Sequence, residues 1–249
     1  MALRPNWSRP GWWRPRWSLS SGRASTGETG ETGRVGGGFG AARDTTRLVA
    51  FSDAVFAIAV TLLVLEIHPP NDFRALFSSL GALWPSYMAY VITFLQIGQI
   101  WVNHHVMFDH IVSVDRFVLF TNTVLLMDVA FLPFAASVLS ESFRVGQGQR
   151  GAVLFYGLTL GLAAILFNIT WEYARHRRHL FRDDVDDAGA RSVGRRFRLA
   201  LFWIGAGAAI GGFVPVAGVV VIAAFIPFYW LPIRGETPGP RRNGDAPTG

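Results

Sequence analysis

The stretch Arg47-Leu-Val-Ala-Phe-Ser-Asp-Ala-Val-Phe-Ala-Ile-Ala-Val-Thr-Leu-Leu-Val-Leu-Glu-Ile67 decides the fold class of this chain. From Leu48 to Ile67 only Asp53 and Glu66 are charged. A helix of that length rises about 30 Å, the thickness of a bilayer's hydrocarbon. His68-Pro69-Pro70 closes it, because proline cannot continue a helix. At about 100° per residue, Leu62, Leu65 and Phe51 fall within roughly 40° of Ile58, and Thr61 about 60° away. Asp53 lies about 140° round the helix. The apolar stripe and the acid therefore cannot both point at one pore. On spacing alone, lipid or core contact is the favoured reading of Ile58, Leu62 and Leu65, ahead of a pore lining.

Working outward, the same apolar pattern recurs. Further spans are expected at Leu83–His104, Phe117–Leu139 and Ala152–Trp171, with a short interfacial helix at Asn71–Leu80 and a charged loop at Arg175–Arg196. Leu199–Leu231 is almost wholly apolar, yet as one helix it would be about 50 Å long. Gly211-Gly212 and Pro215 divide it into spans near Phe197–Gly211 and Val214–Leu231. The fold class is thus an all-α membrane protein with six transmembrane helices. The composition agrees: 51% of residues are apolar, only 16% are charged, and mean hydropathy is +0.31.

Charge placement fixes the expected orientation. All 23 basic residues are arginine, and six spans put 20 of them on the side of both termini, leaving Arg74, Arg144 and Arg150 opposite. By the positive-inside rule, the N and C termini are cytoplasmic and the protein is multi-pass in the plasma membrane. The same clustering explains the basic pI without a nucleic-acid partner. Residues 1–44, rich in Gly, Ser, Arg and Trp, read as a disordered tail, 45–233 as the membrane domain, and 234–249 as a second disordered tail. Absent cysteine and lysine exclude thiolate zinc sites, cysteine catalysis, lysine Schiff bases and a Walker lysine.

Polar residues inside spans carry the candidate chemistry. Asp53 and Asp128 are intramembrane acids, each open to a transport role or to hydrogen bonding within the bundle. Thr93, Gln96 and Asn103 share a face of the second span and need partners, for which Asp53 and Arg47 are candidates. The third span holds Asn122 ahead of Asp128 and Pro133. His104, His105, His110, His176 and His179 fall on one side but cannot supply the histidine boxes of a membrane di-iron enzyme. No metal site, cofactor or enzymatic constellation is expected.

The run Arg47-x3-Phe51-Ser52-Asp53 and its continuation through Glu66 resembles the signature of the transmembrane protein 175 family, the lysosomal and prokaryotic potassium channels that lack the usual selectivity filter. Trp101-x2-His104-His105 and the stretch from Asn122 to Pro133-Phe134 are similar to that family as well, so the likeness spans roughly Arg43–Trp171. Ala54 stands where a glycine is common. The resemblance implies a homotetramer with four first helices around a pore that conducts potassium ions passively. It implies a constriction at Ile58, Leu62 and Leu65, and an association of Thr61 with potassium preference. It also implies that Arg47, Phe51, Ser52 and Asp53 pack behind the pore helix against Trp101, His104, His105 and Asn122. The rival reading is a proton-coupled secondary transporter using Asp53 and Asp128.

Overall fold

The computed structural model describes residues 41–70, 73–181 and 187–229. Seven α-helices occupy them: α1 (Ala41–Leu62), α2 (Leu76–Ala82), α3 (Trp84–His110), α4 (Arg116–Val145), α5 (Gln149–His176), α6 (Asp187–Gly211) and α7 (Pro215–Tyr229). α1 tightens into a 3-10 turn over Leu63–Glu66 before the two prolines. Among the described residues no strand forms. One isolated bridge joins Ile111 to Phe181, tying the end of α3 to the chain after α5.

Local chemistry sets the ends. The Asp115 side chain accepts the backbone N–H groups of Phe117 at 3.0 Å and Val118 at 2.9 Å, which caps α4. Tyr173 on α5 donates to the second Asp115 oxygen at 2.6 Å, so the cap also joins two helices. Burial by itself raises the Asp115 carboxyl, but these three hydrogen bonds and nearby Arg177 outweigh it, and the group lies below the ordinary carboxylate value. The α4–α5 hairpin turns on Gly146 and Gly148, with φ of 76° and 69°, a region costly for residues with a Cβ.

Packing follows the chain: α4 lies against α5, α5 against α6, and α6 against α7, while α1 packs on α3 and α4. Trp171, Tyr156, Met107, Leu125, Leu132 and Leu160 are among the fully buried large side chains. α6 and α7 approach so closely that a Cβ on Gly218 would collide with the backbone of Gly211. Pro227 removes the N–H that would serve the Ala223 carbonyl, and α7 is further held by bonds to two other carbonyls. Val221 accepts Trp203 Nε1 at 2.7 Å, and Ile222 accepts Gln96 Nε2 at 3.1 Å.

Several expectations change. The segment Arg175–Arg196 is not a loop throughout: α5 runs to His176 and α6 begins at Asp187. The physical reason is that Ala190 is buried and Val193 packs against the core, so an apolar face continues past the span and holds the arginine-rich turns in helix. α1 starts at Ala41, ahead of the boundary drawn at residue 44; residues 1–40 and 230–249 lie outside the described residues. The interfacial helix sits at Leu76–Ala82, later than expected, and Asn71 is outside the described residues. The break in the long apolar segment falls between Gly211 and Pro215, as the glycines and proline predict. The segment Thr45–Glu66, α4 and α5 are each long and apolar enough to cross a membrane. α2 and α3, bent by 48° where they meet, pass the same test together.

Candidate functional site

α1 has two unlike faces. Ser52, Phe56, Ala59 and Leu63 are buried, at helical spacing, against α3 and α4. Phe51, Ile58, Thr61, Leu62 and Leu65 are exposed; Ile58 is 58% and Leu65 68% accessible. The helix therefore offers an apolar stripe that its own subunit leaves uncovered. Thr61 donates its hydroxyl to the Ile58 carbonyl at 2.8 Å, so its oxygen stays beside the helix backbone.

Behind α1 a buried chain of hydrogen bonds links three helices. His104 Nε2 donates to Asn122 Oδ1 at 2.9 Å, Asn122 Nδ2 donates to Ser52 Oγ at 3.1 Å, and Ser52 donates to the Leu48 carbonyl at 2.9 Å. The three side chains are at most 1% exposed. Polar groups withdrawn this far from water need partners, and this chain supplies them in sequence to all but His104 Nδ1, which meets no protein partner. The His104 ring also meets Phe56 edge to face and packs at a tilt against Phe108.

A second, half-exposed cluster forms at the flank. Trp101 Nε1 donates to Asp53 Oδ1 at 2.9 Å, and His105 Nε2 lies 3.8 Å from the same oxygen. The Trp101 and His105 rings are 4.6 Å apart, edge to face. Asp53 thus points to α3, away from the exposed stripe. Of the signature residues, Ser52, His104 and Asn122 meet in one network and Asp53, Trp101 and His105 in another. Arg47 and Phe51 are exposed and join neither network.

The partners expected for the second-span stripe are different ones. Thr93 bonds Tyr156 on α5 at 2.9 Å and Gln96 bonds the Ile222 carbonyl on α7, so neither Asp53 nor Arg47 serves them. Helix order in space, not in sequence, decides this: α3 presents that face to α5 and α7. Tyr156 is a residue the sequence reading passed over; its signal was a phenol inside an apolar span, which must find a partner. Asp128 is 5% exposed on α4 and faces the backbone N–H of Ala163 on α5, with one carboxyl oxygen unpartnered. His110 and His176 each direct Nδ1 to the carbonyl four residues earlier, which turns those rings back onto their own helices.

An all-helical chain with an uncovered apolar stripe on one long helix, braced from behind by buried polar bonds, has the build of a membrane channel subunit. Residues 47–133 match the family described as the endosomal/lysosomal potassium channel TMEM175. A protein named as a potassium channel from Streptomyces collinus is 37% identical over 208 residues, covering 82% of this chain and 99% of that one. The fold matches the crystal structure of a lysosomal potassium-selective channel TMEM175 homolog from Chamaesiphon minutus, with a TM-score of 0.65 and 33% identity, over 75% of this chain and 98% of that one. The human protein named endosomal/lysosomal proton channel TMEM175 is 31% identical over 167 residues, which is 63% of this chain but 33% of the human one. The chain belongs to the TMEM175 family of ion channels.

Proposed function

We propose that the protein is a potassium-selective channel of the plasma membrane, formed by four copies with α1 of each lining the pore. The observation that carries this reading is the exposed stripe of Phe51, Ile58, Thr61, Leu62 and Leu65, opposite a fully packed face, on a chain of this family. Ile58, Leu62 and Leu65 form the constriction, which acts on a passing ion by dewetting and by stripping its hydration. Thr61, one turn along the same face, contributes to cation preference. Ser52, His104, Asn122 and the Asp53–Trp101–His105 cluster hold α1 at a fixed rotation, so that the stripe faces the axis. Two bacterial relatives named potassium channels support potassium as the ion. Proton-coupled transport through Asp53 and Asp128 gains no support, since Asp53 is bonded to an indole and Asp128 is packed against α5.

The six-span topology belongs to this proposal, with both termini cytoplasmic. Reporter fusions at Gly249 and in the Glu141–Arg150 segment should report opposite sides. The functional test is ion flux from proteoliposomes under potassium, sodium, caesium and proton gradients. Wild type should pass potassium in preference to sodium, without saturation. Ile58→Asn should raise total cation leak and weaken that preference. An assembled Ile58→Asn protein with unchanged flux would place this stripe against lipid and refute the pore assignment.

A further inference from the structure

One face of α3 carries Gln96, Gln99 and Asn103, each at most 7% exposed. Gln96 is partnered by α7, but Gln99 Oε1 and Asn103 Oδ1 are fully buried and have no protein partner. Both residues, with Gln96, line the same cavity between α3, α5, α6 and α7, whose other walls include Ala163, Phe167 and Phe225. The cavity leaves about 30 Å³ for the centres of water molecules. A buried water requires roughly 10–15 Å³ on that measure and two or more polar partners.

We infer that this cavity is a hydrated site inside each subunit, holding about two water molecules on the amides of Gln99 and Asn103. Buried acceptors without partners are rare in folded proteins, and here two lie on one cavity wall, one turn apart. The site fits water and not a bare cation. A desolvated monovalent ion needs a shell of oxygens to replace its hydration, whereas this wall offers only the three amide side chains of Gln96, Gln99 and Asn103, each oxygen beside its own NH2. No residue of α1 lines the cavity, so this water is distinct from any water in the proposed pore and does not depend on that reading.

The test is hydroxyl-radical labelling generated by X-ray radiolysis of the full-length protein in nanodiscs, read residue by residue by mass spectrometry. Bound water makes radicals in place and labels side chains that bulk radicals cannot reach. Phe167 and Phe225, 4% and 3% exposed, should label several-fold faster than Phe56, which is equally buried at 3% but does not line the cavity. Equal rates at the three phenylalanines would overturn the inference. Ala164→Val narrows the cavity and should bring Phe167 and Phe225 down to the Phe56 rate; labelling that persists in the folded variant would refute it. Should that variant misfold, Gln99→Leu removes an acceptor and should lower the labelling, and an unchanged rate would again refute it. Exchange of potassium for N-methylglucamine should leave the wild-type pattern as it is, and a pattern that follows the cation would replace water with an ion.

Discussion

In the proposed channel the rotation of α1 rests on Asn122, which bonds both His104 and Ser52, and Asn122→Leu tests that role. The variant keeps the branched heavy-atom skeleton of the side chain, with bulkier methyl ends, and removes two hydrogen bonds from a site no more than 1% exposed. His104 Nε2 loses its acceptor outright, and Ser52 loses a donor while keeping its bond to Leu48. A buried polar group left unpaired costs about 1–3 kcal/mol. One full orphan and one partial orphan sum to about 3 kcal/mol, more than a hundredfold in the folding equilibrium. The assay is equilibrium unfolding in mixed micelles, followed through the fluorescence of the nine tryptophans. A cycle with His104→Leu sharpens it. That single variant orphans Asn122 Oδ1, whereas the double variant removes both partners. The double variant should therefore cost about 1–2 kcal/mol less than the sum of the singles. A cost for Asn122→Leu below about 0.5 kcal/mol, or additive singles, would refute the buried relay as the brace of α1.

Three further outcomes are expected. Asp53→Ala leaves the Trp101 indole N–H without its acceptor and should weaken assembly on size exclusion, at a cost of about 1 kcal/mol given the half-exposed site, while Asp53→Asn keeps an acceptor and should be milder; a well-assembled Asp53→Ala channel with altered selectivity would mean that Asp53 sees the ion. Gly218→Ala drives a methyl into the Gly211 backbone and should lower the thermal midpoint, at a cost of about 1–3 kcal/mol from overpacking; an unchanged midpoint would show that α6 and α7 can separate freely. Asp115 has a carboxyl held below its unfolded value, so its ionised form stabilises the fold fully above the unfolded pKa of about 3.9, and that stabilisation is lost as pH falls through the lower folded value; the advantage of wild type over Asp115→Asn should be present at neutral pH and vanish in acid, and a pH-independent difference would contradict the cap.

The spans within α1, α3, α4 and α5, the break before α7 and the two faces of α1 were legible in local sequence. Span length, the prolines at 69, 70 and 215 and the paired glycines at 211 and 212 are local features, and local backbone chemistry is enough to read them. Separating Ile58 from Asp53 needed only helical periodicity, and the structure keeps the former exposed while turning the latter to Trp101. Partner choice was another matter. The sequence offers Asp53 and Arg47 of the first span as candidate partners for Thr93 and Gln96, yet these two bond Tyr156 and the Ile222 carbonyl, 63 and 126 residues away. An unsatisfied polar group in a span announces that it needs a partner but not which helix supplies it, because any neighbour with a donor or acceptor serves equally. The helical start of α6 escaped for a related reason: its arginines looked like a solvated loop until the packed core buried Ala190 and took up Val193. Only the tertiary structure, by setting which helices touch, joined Ser52, Asn122 and His104 into one chain and left Gln99 and Asn103 facing a cavity.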